Sequence, residues 1–112
     1  MSARRRVADY LDAPGHAGRL DGAARLGEAA GDGRIVRIGL FPDGSARFRA
    51  SSCASLIAYA EAACEAIEAG FAPGRLDAAA LRSRVAGVHP MHRDRAALVA
   101  AAVADAFTEE ER

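Results

Sequence analysis

The segment "SSCAS", residues 51 to 55, joins an alternating strand-like run to a long alanine-rich run and carries Cys53. A thiol at a strand-to-helix junction lies beside unpaired amide groups and the positive end of the helix dipole. Both favour a thiolate, which binds metals or attacks electrophiles. The same corner also suits a small side chain that merely packs, and the local context leaves both readings open. Cys64, eleven residues on, shares a helical stripe with Ile57, Ala60 and Ile67 and reads as a buried structural thiol. About 16 Å of helix axis separates the two cysteines, too far for a disulfide.

Two further groups could do chemistry. In "HPMH", Pro90 holds His89 extended, and His92 stands just before the last helical run. Two imidazoles in a short linker chelate a divalent ion when a third ligand joins them; without one they are ordinary surface histidines. In Gly31-Asp32-Gly33, the flanking glycines let a ligand approach the backbone closely, or simply make Asp32 a turn residue. The chain has no nucleotide-binding glycine loop, no recognisable Ser-His-Asp context and no paired catalytic carboxylates.

The elements that must position these residues follow from periodicity. Residues 3 to 12 suit a short helix with Val7, Tyr10 and Leu11 on one side, ended by "APGHAG". Residues 19 to 31 mix arginine, alanine and glycine and read as a loop with room for one edge strand. "RIVRIGL" (34 to 40) is a strand with Val36, Ile38 and Leu40 on one face. "FPDGS" is a turn, and "ARFRA" (46 to 50) returns with Ala46, Phe48 and Ala50 inward. A helix is expected from near Ser52 to Gly70, with Glu61, Glu65 and Glu68 on its solvent side. A shorter helix over Leu76 to Val85 follows "APG". Residues 86 to 92 form a linker, a last helix runs from Arg93 or Asp94 to Phe107, and the "EEER" tail frays. The expected architecture is α+β: a small antiparallel sheet of three strands, at least the two-stranded hairpin, with helices packed on one face.

Composition bounds the rest. The 112 residues allow one domain, 1–112, with one modest core. With 51% of residues apolar but only 5% aromatic, that core is aliphatic and alanine-based. Fifteen basic residues, all arginine, cancel fifteen acidic ones, so there is no general attraction to nucleic acid or acidic membranes. The Arg4-Arg5-Arg6 cluster reads as a solvated helix start. No secretory signal or membrane-length apolar run is present, which with two unpaired cysteines gives the expectation of a reducing, cytoplasmic setting.

Read in order, these segments resemble the IscU/NifU-type iron–sulfur cluster scaffold domain. "VADYLDAPGHAGRLD" resembles its opening helix and Asn-Pro-type loop, and "AAGDGRIVRIGL" its Cys-Gly-Asp and following strand. "ARFRASSCAS" resembles the Ala-Arg-Phe strand entering Gly-Cys-Gly-Ser, and "RAALVAAAVADAF" the helix after its His-Cys pair. The resemblance covers nearly the whole chain. It implies the SufE/IscU-like fold and a cluster or zinc ion held by three cysteines with an aspartate and a histidine. Here Cys53 matches the middle cysteine and Asp32 the aspartate. Ala30 stands at the first cysteine, Pro90-Met91 at the His-Cys pair, with His89 and His92 on either side. The Leu-Pro-Pro-Val-Lys chaperone motif is not recognisable in "RVAGVHP".

What the resemblance implies is therefore a divergent scaffold protein, not an enzyme, with Asp32, Cys53, His89 and His92 as metal ligands. Four mixed donors fit a single Zn²⁺ or Fe²⁺ better than a conventional iron–sulfur cluster, unless two chains share one. Cys53 would also accept sulfur. The implied partners are a cysteine desulfurase and a recipient or chaperone protein, with no nucleic acid and no membrane, in a monomer or homodimer. Two other readings stand beside it: a metal-free degenerate paralogue acting as an interaction module, and a SufE-like sulfur acceptor.

Overall fold

The structure is a computed structural model that describes residues 5–12 and 14–108. Arg4 and the "EEER" tail, both given roles above, lie outside the described residues. Five strands and four helices run in the order β1 (Arg5–Arg6), α1 (Val7–Asp12), β2 (Arg25–Gly31), β3 (Arg34–Leu40), β4 (Ala46–Ala50), α2 (Ala54–Glu68), α3 (Ala78–Arg84), β5 (Val85–Ala86) and α4 (Arg95–Thr108). Two short 3-10 turns, Pro73–Arg75 and Pro90–His92, lie in the connections. The α+β expectation holds: β2, β3 and β4 form a three-stranded antiparallel sheet, and helices pack against one face of it.

Strand alternation decides which face is covered. Val36, Ile38, Leu40, Ala46 and Phe48 are buried, and the outward Arg37, Arg47 and Arg49 are exposed. Helices α2 and α4 lie on the dry face, α1 packs on α2, and α3 on α4. Tyr59, Leu56, Val99 and Val103 fill the space between, with alanines where helix and sheet approach closely.

Two short pieces differ from the expectation: Arg5–Arg6, expected inside the first helix, pair in parallel with Val85–Ala86, expected at the end of the second helix and the start of a linker. The edge strand for which residues 19 to 31 left room is present. Residues 25–31 form a full edge strand, with Gly27 opposite Ile38 and Ala29 opposite Val36. Its inward positions are Gly27, Ala29 and Gly31, so the alternation that marks a strand is missing from the sequence. The small residues are needed because α4 crosses there. A Cβ on Gly27 would overlap the Ala102 carbonyl oxygen and the Ala106 amide.

The hairpin joining β2 to β3 is two residues, Asp32 and Gly33, both at positive φ (53° and 74°), a turn that suits the twist of paired strands. The free edges of the sheet are occupied. The Asp105 carboxylate accepts the Glu28 N–H at 3.0 Å on β2. On β4, the Phe48 N–H donates to the His16 carbonyl at 2.9 Å, and the Ala46 N–H donates to Glu68 at 2.8 Å. Beyond the edge of β4 the loop of residues 14 to 24 turns over the outer face, where Leu20 and Ala23 lie against Gly39. Among the described residues, no helix is long and apolar enough to cross a membrane.

Candidate functional site: a thiolate between two arginines

Cys53 is the N-cap residue of α2, with extended backbone (φ −140°, ψ 115°). Its carbonyl accepts the first helical bond from the Ile57 N–H at 2.9 Å, so the side chain lies at the mouth of the helix. Two hydrogen bonds tie this corner to the start of β3. The Ile35 N–H donates to Ser51 Oγ at 2.9 Å, and the Ser51 N–H donates to the Ile35 carbonyl at 3.0 Å. Arg34, next to Ile35, has the parity of Val36 and Ile38. It therefore stands on the helix-covered face beside Cys53.

From the other side comes Arg95, the first residue of α4, only 8% exposed. A cation in the first turn of a helix is opposed by the helix dipole, and a buried guanidinium needs a partner. Its Nη1 donates to Asp94 Oδ1 at 2.6 Å, while its buried Nε has no hydrogen-bond partner among the described residues.

Burial has the largest single influence on Cys53 and raises its pKa. The Leu56 amide, Arg95 and Arg34 together outweigh it, so the thiol sits below its ordinary value. The Leu56 amide does this without closing a capping hydrogen bond of ordinary geometry. Cys64 is the reverse case. It is fully buried, and burial, then the charges of Glu61, Glu68 and Glu65, push its pKa far above the ordinary range.

The other expected ligands are dispersed around this corner. Asp32 is an exposed turn residue whose carbonyl accepts Arg34 Nη1 at 3.1 Å. His92 Nδ1 lies 3.4 Å from Ser55 Oγ, on the first turn of α2. His89 is exposed; its Nδ1 accepts the Met91 N–H at 3.1 Å and caps the 3-10 turn, with its ring centroid 5.8 Å from that of His92. Met91 is 78% exposed. Asp32 thus bonds Arg34 through its carbonyl, and His92 contacts Ser55. Among the described residues, no three of Asp32, Cys53, His89 and His92 bring donor atoms within 4.8 Å of one another.

A His, Glu, Glu trio with that spacing lies elsewhere, at His16, Glu61 and Glu65. Its donors are already engaged. The ring of His16 bonds Glu61 through Nδ1 and Glu68 through Nε2, the latter at 2.8 Å. Its backbone N–H donates to Glu61 at 2.9 Å, and Glu65 pairs with Arg5. With a carboxylate at each ring nitrogen, the imidazolium form, in which both nitrogens donate, is favoured and the pKa is raised. Glu61, expected on the solvent side of α2, is 2% exposed: the loop carrying His16 covers it.

No family model matches this sequence, and no curated protein matches it. The reading of the site therefore rests on its chemistry. Divalent metal needs several anionic or neutral donors converging on one point. At Cys53 one thiol faces two guanidiniums, which favour its thiolate form and repel a cation. That arrangement fits a reactive thiolate better than a closed metal centre.

Sequence reasoning found Cys53 from its junction but missed Arg34, Arg95, His16 and Glu61. Two signals for the arginines were present. Arg34 is in phase with an apolar strand face, and Arg95 sits where a helix start disfavours a cation.

Proposed function

We propose that the chain is an iron–sulfur cluster assembly protein of the scaffold type whose chemistry centres on sulfur receipt at Cys53. The carrying observation is the Cys53 thiol at the mouth of α2, flanked by Arg34 and Arg95, which lower its pKa. The order of segments that resembles the IscU/NifU domain supports the same reading, as does the sheet-and-helix architecture that fits it. The sulfur donor is a cysteine desulfurase carrying a persulfide. The Cys53 thiolate attacks the outer sulfur, a new S–S bond forms, the donor's S–S bond breaks, and the donor cysteine leaves as thiolate. The acceptor thiol must be kept reduced to receive sulfur, which calls for a reducing compartment, and the cytoplasm is the simplest assignment.

In this reading a cluster or metal ion is cargo. Cys53, with His92 and Asp32 nearby, offers at most a partial ligand set on one chain. Retention would need a second chain or a recipient protein to complete it. The two guanidiniums favour the sulfur step over storage of a cation.

The test is persulfide transfer. With a cysteine desulfurase and free cysteine, wild-type protein should gain one sulfur, mapped by mass spectrometry to Cys53. Cys53→Ala should gain none, and Cys64→Ala should behave as wild type. Zinc, iron and acid-labile sulfide measured after anaerobic reconstitution should stay well below one equivalent on the isolated chain. Absence of persulfide at Cys53 with an active desulfurase sinks the proposal; tightly held stoichiometric metal would instead favour the closed site.

A further inference from the structure

As a thiolate Cys53 carries one negative charge, yet two guanidiniums and the free amide end of a 15-residue helix converge on it. Part of the surplus is spoken for: Asp94 takes Arg95 Nη1, and the Asp32 carbonyl takes Arg34 Nη1. What remains is a buried Arg95 Nε with no partner among the described residues, on a side chain nine-tenths buried. A buried charged donor left unpaired is costly unless a ligand completes it. A protein persulfide brings no oxyanion to fill that role.

We propose that the corner formed by Cys53, Arg34, Arg95 and the start of α2 binds a small oxyanion carrying a sulfane sulfur, thiosulfate being the simplest, and takes that sulfur onto Cys53. This rests on the reading of Cys53 as a sulfur acceptor and names a second class of donor for it. The sulfonate oxygens pair with the guanidiniums, as oxyanions do with planar arginine donors and helix amides. The Cys53 thiolate attacks the outer sulfur, an S–S bond to Cys53 forms, and the S–S bond of thiosulfate breaks. Sulfite leaves with the bonding pair, its charge held by Arg34 and Arg95. Two charges on thiosulfate and one on the thiolate become two on sulfite and one on the Cys53 persulfide, so no oxidant, reductant or proton is needed. Cyanide, a simple acceptor, then takes the sulfur as thiocyanate and restores the thiolate.

The full chain is mixed with thiosulfate, and sulfite release and thiocyanate formation in cyanide are followed. The pH is set well above the ordinary thiol range, so that Cys53 is a thiolate in every variant. Wild type should release one sulfite per Cys53 in a single turnover, and Cys53→Ser none. Arg95→Gln and Arg34→Gln should each lower kcat/KM for thiosulfate about tenfold, the loss of one charge-assisted contact, mainly through KM. Arg95→Lys should recover part of it. Sulfate should compete with thiosulfate and leave loading by a desulfurase unaffected.

Three results overturn the proposal. Loading by a desulfurase without sulfite release from thiosulfate removes this donor and leaves sulfur receipt standing. No persulfide from either donor removes both. Equal thiosulfate kinetics in wild type and the two glutamine variants removes the arginine site. Sulfite release without desulfurase loading supports the oxyanion donor and removes the protein donor.

Discussion

Two cysteines eleven positions apart on one helix have opposite chemistry because their surroundings differ. Cys64 is enclosed and faces carboxylates; Cys53 opens at a helix end toward arginines. Alkylation should therefore be one-sided. In the native protein iodoacetamide should label Cys53 with a midpoint below the ordinary thiol value, and Cys64 should react only on unfolding. Arg95→Gln should move the Cys53 midpoint upward, because it removes a positive neighbour and leaves the burial in place. A midpoint unchanged in that variant would mean that the helix end and Arg34 set the thiol without Arg95. The place of Cys53 was legible in the sequence, since a junction between two periodicities marks a helix mouth. Arg34 and Arg95 each stood out at its own position, but their meeting at Cys53 was not legible: they are nineteen residues before it and forty-two after it, and only the closing of α4 onto the sheet brings them together.

At the scale of elements, the strands with alternating side chains were readable and the strand without them was not. β3 and β4 declare themselves through Val36, Ile38, Phe48 and their arginine neighbours. β2 carries Gly27, Ala29 and Gly31 on its inner face, because its role is to let α4 approach and not to supply core volume. The hairpin placed Asp32 at a positive-φ turn, which explains why a residue with a ligand's sequence position faces solvent. The close contact at Gly27 is testable by overpacking. Gly27→Val should destabilise the fold by about 3 kcal/mol or more, at the upper end of what added core methyl groups cost, since the clash is with helix backbone that cannot rotate away. A chemical denaturation midpoint within error of wild type would show that α4 shifts freely on β2. Ala29→Val, at an inward position two residues along, should cost less, because half-burial leaves it room to adjust.

For the whole molecule, the loop of residues 14 to 24 buries no apolar side chain fully, and the His16 cluster is what fixes it. His16 bridges Glu61 and Glu68 on α2 while its carbonyl holds the edge of β4, so one residue joins loop, helix and sheet. No periodicity marked this, because Glu61 repeats in phase with two carboxylates that remain more exposed, and only the loop's path across α2 buries it. The charged groups around the ring are Glu61, Glu65 and Glu68 on α2, Arg5 before α1 and Arg47 on β4. Burial lowers the pKa of His16 most strongly, but the hydrogen bonds from Glu61 and Glu68 and their charges reverse it, and the net shift is upward. A raised histidine contributes stability that is fully present below its unfolded value of about 6.5 and is lost as pH rises through the folded value. Glu68 shifts the other way. Burial raises it, but the Ala46 amide and His16 bring it below its ordinary value. Its contribution is present above an unfolded value of about 4.3 and fades as pH falls through the folded one. The two windows overlap in mildly acidic solution, and there the cluster should stabilise most. His16→Ala removes the ring partner of a carboxylate that is 2% exposed and leaves it only the residue-16 amide, so the cost should fall at or below the lower end of the range of about 3–5 kcal/mol for an unpaired buried charge. Urea denaturation of wild type and His16→Ala across pH 5 to 9 should show that difference at pH 5.5 and a smaller one at alkaline pH, where wild-type His16 has itself lost its proton. A difference constant across the range would assign His16 a packing role only, and the loop would then be held by its two backbone bonds to Phe48 without help from charge.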